Sequence, residues 1–328
     1  MKKLFVILLS LFAVSAQAQF VTGGGATFPA PIYAKWAGDY NRETGVRVNY
    51  QSIGSSGGIR QMEAKTFDFG ATDDPMTADE IKAKGYYQFP SVMGGVVPVV
   101  NIKGIEAGQL VLDGKTLADI FHGKINNWND PAIKKLNPKL PLPDQSISRV
   151  VRADGSGTTA VFTDYLSQVS AEFKNEIGMG KTVSWKAPQT IAGKGNAGVA
   201  AFSQQVSGAI GYVEYAYVKQ AKMNYVRMLD KKGKPVEPDD TTFAIAAKSA
   251  DWKTPGMAVN LNNKDGWPIT AATFILLFKE GNANTKEAIK FFDWVFAKGD
   301  KSAVELDYVP LPESVKAQIR KDWATQVK

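Results

Sequence analysis

Cysteine is absent from the 328 residues. With it go structural disulfides, thiolate nucleophiles, cysteine metal sites and a lipid anchor on an N-terminal cysteine. Histidine is nearly absent as well, His122 being the only one. A cluster of histidine ligands is therefore excluded, and a Ser-His-Asp triad would have to use that one residue. His122 reads instead as an exposed residue at a helix end. Long apolar runs are also missing. The best candidate, Leu4 to Val14, is shorter than the ~20 residues a spanning helix needs. Lys2 and Lys3 precede it and Ala16-Gln17-Ala18 follows it, the order of a signal peptide cut after Ala18. Residues 1–18 are thus expected to be an export leader, and the mature chain a free periplasmic protein without a lipid anchor.

A strong charge of one sign is lacking too. The formal net charge is +7, from 39 basic and 32 acidic residues, and Lys2 and Lys3 lie in the leader. The basic residues are interspersed with acids, which argues against nucleic acid as a partner. A mild positive field would help to steer a small anion. Internal repeats and low-complexity linkers are not found, and the length suits about two domains.

Strand and helix periodicities alternate along the chain. Val46, Val48 and Tyr50 alternate with polar residues, as do Phe67 and Phe69 around Asp68. Val96, Val97, Val99 and Val100 read as a buried strand interrupted by Pro98. Ile147 to Ala153, Ala209 to Val213 and Thr273 to Phe278 are further strands. Tyr33, Trp36, Ala37 and Tyr40 share a helical face that stops at Gly45. Thr77 and Glu80 form a capping box before Ile81. Val199, Phe202 and Val206 share a face after Asn196. Ile289, Phe292 and Phe296 follow a Thr285 cap, and Val315, Ile319 and Trp323 follow Pro312. This alternation predicts an α/β fold of largely parallel sheets, its two domains joined by more than one crossing of the chain.

Three segments share one design. Gly23-Gly24-Gly25-Ala26-Thr27-Phe28-Pro29, Gly54-Ser55-Ser56-Gly57-Gly58 and Arg152-Ala153-Asp154-Gly155-Ser156-Gly157-Thr158-Thr159 each put glycines and hydroxyls directly before a helical pattern. Pro29 suits the first helical turn. The first turn of a helix has backbone N–H groups without intrahelical acceptors, and the helix dipole adds about half a positive charge there. Glycine admits a ligand close to the backbone, and serine and threonine add donors. Such a terminus binds an oxyanion without a formal cation. One such segment alone is no more than a helix cap; three in one chain point to an anion site.

Arg152 offers a planar fork of donors suited to a tetrahedral oxyanion, and Asp154 could hold that fork; the alternative is a surface ion pair at a strand end. Asp73, in Ala71-Thr72-Asp73-Asp74-Pro75, is on spacing alone a turn or helix cap, as is Asp74. Beside an anion site it would have a purpose. An ionised carboxylate only accepts hydrogen bonds. Hydrogen phosphate and dihydrogen phosphate have an O–H to give, and sulfate at neutral pH has none. A site built around such a bond rejects the analogue lacking it by ~10⁴-fold or more.

Ala26-Thr27-Phe28-Pro29-Ala30-Pro31, Ile53-Gly54-Ser55-Ser56-Gly57-Gly58 and Arg152-Ala153-Asp154-Gly155-Ser156-Gly157-Thr158 closely resemble the high-affinity phosphate-binding proteins of bacterial ABC phosphate uptake systems. So do Leu112-Asp113-Gly114-Lys115-Thr116, Gly208 to Tyr215 and Trp267-Pro268-Ile269-Thr270. The resemblance runs in order through the mature chain. It implies a two-lobed periplasmic binding fold of type II, two α/β lobes joined by a double crossover, with lobe I from residues 19–92 plus 271–328 and lobe II from 93–270. Its implied phosphate ligands are the amides of Thr27 and Phe28, with the Thr27 hydroxyl, then Ser55, Asp73 as acceptor of the phosphate proton, Arg152 oriented by Asp154, and Ser156, Gly157 and Thr158. It also implies hinge closure, delivery to the permease and ATPase subunits of a membrane transporter, a monomer, no cofactor and no catalysis.

Other readings are weaker. Gly-Lys-Thr at Gly114 and at Gly180 lacks the earlier glycine of a Walker A loop, since Gln109 and Asn175 stand there. Gly155-Ser156-Gly157 continues to Ala160 where a dinucleotide fingerprint has its third glycine. Sulfate, molybdate or tungstate could occupy the same helix termini, with Asp73 as the discriminating residue. Tryptophans and tyrosines that could stack on a sugar fall mostly at core spacing.

Overall fold

The computed structural model describes residues 20–328, so the expected leader lies outside the described residues. The chain begins with β1 (Phe20–Gly25), α1 (Ala30–Thr44), β2 (Arg47–Ser52), α2 (Ser55–Glu63), β3 (Phe69–Thr72), α3 (Ala78–Lys84) and the long β4 (Tyr86–Asn101). There follow β5 (Val111–Leu112), α4 (Gly114–His122), α5 (Pro131–Leu136), β6 (Ser148–Arg152), α6 (Gly157–Val169), α7 (Ala171–Glu176), β7 (Thr190–Gly193) and α8 (Gly195–Gln205). Next come β8 (Ala209–Glu214), α9 (Tyr215–Ala221), β9 (Asn224–Tyr225), β10 (Arg227–Leu229), β11 (Pro235–Val236) and α10 (Asp240–Lys248). Then follow β12 (Thr270–Phe278), α11 (Ala283–Lys298), α12 (Asp300–Glu305) and α13 (Glu313–Gln326).

Among the described residues, eight strands join in the order β2-β1-β3-β12-β4-β8-β6-β7, with β9 beside β4 as the ninth; β5, β10 and β11 form a small separate sheet. The outer parts are parallel, as expected: β1 pairs with β2 and β3, and β6 with β7 and β8. The middle is not. β12 runs antiparallel to both β3 and β4, and β4 antiparallel to β8. The physical reason is traffic: β4 leaves the first half of the sheet and β12 returns to it, so the two point opposite ways. β4 pairs with β12 over Tyr86 to Gly95 and with β8 over Val96 to Asn101. One strand therefore serves both α/β halves of a two-lobed architecture.

Pro98 does not interrupt β4. Its carbonyl accepts from the Val226 N–H at 2.9 Å, so the side of the residue without an N–H faces the short β9 region, not β8. That is the kind of place where a strand tolerates proline.

The helices are pinned much as their sequences suggest. Thr77 and Glu80 make the expected capping box, and Gly45 ends α1 in the left-handed conformation. Two assignments shift. Asn282, not Thr285, is the cap of α11, with Thr285 returning the second bond of the box. Pro29 is the cap of α1, not a residue inside its first turn. Phe202 departs from its expected face and is 38 % exposed. The core of the first half is aromatic: Phe89 meets the edges or faces of Phe292, Phe296 and Trp323 at 5.2–6.3 Å.

Helix α2 lies directly on β1. A Cβ at Gly58 would sit 2.5 Å from the Gly25 Cα and 2.6 Å from the Gly24 carbonyl, both rigid backbone. Gly58→Ala is expected to lower stability by about 1–3 kcal/mol, the usual cost of overpacking. Gly38, in α1, has only the Arg42 side chain near its would-be Cβ, at 3.7 Å, so Gly38→Ala should raise stability by up to about 1 kcal/mol. Urea unfolding midpoints of the two variants check the contrast.

Candidate functional site

The starts of α1, α2 and α6 point toward one place, where the two halves meet. The Ser55 hydroxyl, at the start of α2, accepts from the Gly157 N–H at 3.0 Å and, more loosely, from the Asp73 N–H at 3.4 Å. The Ser56 N–H donates to the Gly155 carbonyl at 3.1 Å. The amides of Thr27 and Phe28, between β1 and α1, have no hydrogen-bond partner among the described residues. Thr27, Phe28, Ser55, Asp73, Arg152, Ser156 and Thr158 are buried and Asp154 half-buried. Ser156 caps α6 through the Thr159 N–H at 3.0 Å. Gly157 must be glycine for the halves to come this close: a Cβ would lie 2.5 Å from the Ser55 Oγ and 2.7 Å from the Asp73 backbone nitrogen.

Arg152 ends β6 with a side chain only 1 % exposed. Its Nε and Nη2 donate to Asp154 at 2.9 and 2.6 Å, a two-point pairing that fixes the guanidinium plane. Its third nitrogen, Nη1, is buried without a partner among the described residues. Burial pushes the Asp154 carboxyl up, but Arg152 and the Gly195 N–H more than offset this and hold it below its usual range.

Asp73 follows β3. Its Oδ1 accepts from the Thr273 hydroxyl on β12 at 2.7 Å, and its Oδ2 is buried without a partner among the described residues. Burial pushes this carboxyl up; Thr273 and Arg152 pull it down and Asp74 pushes it up, leaving it at about 7. The site thus contains one orphaned donor nitrogen and one orphaned carboxylate oxygen. A buried group of either kind is costly unless it is paired. A partner that both accepts and donates would satisfy the two together.

Several residues here were not anticipated. Asn196, fully buried in the first turn of α8, donates through its backbone N–H and Nδ2 to the Thr27 hydroxyl at 3.1 and 2.7 Å. Its Nδ2 also reaches the Thr158 hydroxyl at 3.2 Å. With the Gly195 N–H on Asp154 Oδ1 at 2.9 Å, α8 is a fourth helix start turned toward the site. Lys194-Gly195-Asn196 has the same small polar character as the other three segments and could have been found. Thr273 gives no such signal: it meets Asp73 across 200 residues of sequence. The Tyr308 hydroxyl lies 2.7 Å from both the Phe28 carbonyl and Glu214 Oε2. Burial keeps Glu214 well above the carboxylate range. Glu214 Oε2 also accepts the Ala216 N–H at 3.0 Å. Lys181 bridges to Asp74 at 2.5 Å, and Tyr217 donates to the Thr27 carbonyl at 2.6 Å. His122 is half-buried rather than exposed and bonds to Glu176 at 3.2 Å.

This architecture and site define a class. Residues 13–298 match the model of the PBP superfamily domain. The fold is also that of solved phosphate-binding proteins of the two-lobed periplasmic type. One is the high-affinity periplasmic phosphate-binding protein PfluDING bound with phosphate, at TM-score 0.75, 21% identity and 94% of each chain. Another is a human phosphate-binding apolipoprotein, at TM-score 0.72 and 21% identity over 93% of this chain and 94% of that one. At such identities the likeness speaks for the fold alone. Sequence goes further. The chain is 53% identical to the phosphate-binding protein PstS of Pasteurella multocida over 99% of its length and 96% of that protein. It is 50% identical to PstS of Haemophilus influenzae over all of both chains. It belongs to the PstS family of phosphate-binding proteins.

The Asp73 carboxyl, raised from the usual range near 4 to about 7, makes stability depend on pH in a definite direction. Between those values the folded molecule keeps a proton that the unfolded chain has released, so rising pH favours unfolding. In phosphate-free buffer, the unfolding free energy of wild type relative to Asp73→Asn should fall as pH rises from about 4 to about 7. Urea titrations across that range would show it. A flat difference would mean that Asp73 is not shielded from water.

Proposed function

We propose that this chain is the periplasmic receptor of an ABC phosphate transporter, binding hydrogen and dihydrogen phosphate between its lobes and handing it to the membrane permease. The orphaned pair, Asp73 Oδ2 and Arg152 Nη1, carries the reading. Inorganic phosphate is a small ion that accepts from a guanidinium and donates to a carboxyl at once. Its family relatives are named as phosphate-binding proteins, which supports the same ligand.

In this reading Arg152, oriented by Asp154, pairs with the anion. The amides of Thr27 and Phe28 and the first turns of α2 and α6, with Ser55, Ser156 and Thr158, supply the remaining donors, and Gly157 shares its N–H between the Ser55 hydroxyl and the anion. The helix dipoles add positive potential without titratable charge. Asp73 takes the phosphate proton. Lobe I comprises residues 19–92 and 271–328 and lobe II residues 93–270, after a leader of residues 1–18. Closure of the lobes as a monomer presents the loaded form to the permease. Bringing the donors into a low-dielectric pocket strengthens each of them.

The position of Asp73 near 7 refines the rejection of sulfate. An ionised Asp73 faces sulfate with two acceptors and no proton. A protonated Asp73 could donate to sulfate. Discrimination therefore strengthens with pH above about 7, by roughly tenfold per unit, since one pH unit is worth about 1.4 kcal/mol of protonation.

Equilibrium binding of phosphate with sulfate in excess tests this. Wild type should retain phosphate, and sulfate should compete better as pH is lowered toward 7. Asp73→Asn should lose the pH-dependent part of the discrimination. Sulfate, molybdate or tungstate competing equally at pH 8 or above would refute the role of Asp73. Turnover of a generic phosphomonoester would point to an enzyme instead.

A further inference from the structure

A serine or threonine hydroxyl carries one proton and two lone pairs, so a pocket lined with hydroxyls does not by itself choose between donors and acceptors. In this site something makes the choice. The Glu214 backbone N–H, which can only donate, lies 2.9 Å from Asn196 Oδ1. That contact fixes which end of the Asn196 amide is oxygen. Its Nδ2 must then face the other way, onto Thr27 Oγ1 at 2.7 Å and Thr158 Oγ1 at 3.2 Å. Both hydroxyls are thereby made to accept from Asn196. Thr27 Oγ1 also accepts the Asn196 N–H at 3.1 Å, so both its lone pairs are engaged. Each hydroxyl has its proton left to give, and Thr27, with both lone pairs engaged, cannot turn to accept from a ligand without breaking a bond buried from water; Thr158 accepts one bond from Asn196 and keeps one lone pair. Asn196 itself is fully buried.

We infer that Asn196 is a positioning residue that locks the Thr27 hydroxyl as a donor and orients the Thr158 hydroxyl with its proton to give, so that the acceptor role in the anion site falls to Asp73. This rests on the phosphate reading above. Asn196 acts through the two threonines, its side-chain amide being spent on Thr27, Thr158 and the Glu214 N–H. Its Oδ1 is held by the end of β8, which also carries Glu214, the partner of Tyr308. The donor pattern is therefore set from behind the pocket.

A double-mutant cycle tests the inference by calorimetric titration with inorganic phosphate, each variant first shown to unfold cooperatively on heating. Asn196→Ala should weaken phosphate binding by about tenfold or more, the range of a hydrogen bond to a charged group. In a Thr27→Val/Thr158→Val background the same change should cost less than about twofold, because the groups it orients are gone. Equal losses in both backgrounds would overturn the inference, since a merely structural role is indifferent to the hydroxyls. Asn196→Asp keeps the acceptor for Glu214 but replaces the Nδ2 donor by an acceptor. It should weaken binding beyond Asn196→Ala, by about 100-fold, with at least tenfold of this lost in the Val/Val background. This variant carries the cycle should Asn196→Ala fail to fold. Asn196→Asp binding as well as wild type would overturn the inference. Failure of wild type to bind phosphate at all would instead overturn the underlying reading, and this one with it.

Discussion

An arginine and an aspartate are kept from water at the meeting of two half-molecules, and neither is fully satisfied among the described residues. Arg152 is held flat by Asp154 yet keeps one nitrogen unspent; Asp73 is held by Thr273 yet keeps one oxygen unspent. Such groups are tolerated only where the rest of the structure over-determines their positions. The over-determination is visible. Gly157 brings α6 against Ser55, the Gly195 N–H steadies Asp154, and Asn196 ties Thr27 to Thr158. Each of these bonds joins segments far apart in sequence, so the site exists only as a product of the whole fold.

Parts of this were readable from residue order and parts were not. The helix starts at Thr27, Ser55 and Ser156 announce themselves locally, because glycine and hydroxyl residues before an apolar period mark where a helix begins, and three of them together mark more than capping. The pairing of Arg152 with Asp154 is likewise local, two residues apart. Asp73 is different. Nothing in Ala71-Thr72-Asp73-Asp74-Pro75 separates a ligand from a turn cap; the resemblance to a known family, not spacing, singled it out. Thr273 lies on a strand whose apolar run gives no hint that one hydroxyl turns toward a carboxylate. The mixed direction of the central strands was missed because alternation of strands and helices reports how a chain is punctuated, not which way a returning strand runs. Pro98 misled in the same manner: its effect depends on which side of the strand has a neighbour.

The ionisation of Asp73 shows how burial alters a role assigned by chemistry alone. A carboxyl expected to be fully charged at neutral pH is pushed up to about 7, because the desolvation that hides it from water outweighs the help of Thr273 and Arg152.

The sharing of β4 by both halves has a mechanical consequence. Sliding one half past the other would break the ladders that β4 makes with β12 on one stretch and β8 on the next. Twisting β4 near Gly94 and Gly95, where those ladders change over, leaves both intact. Strand pairing therefore tolerates a turn of one half about β4 better than a slide along it.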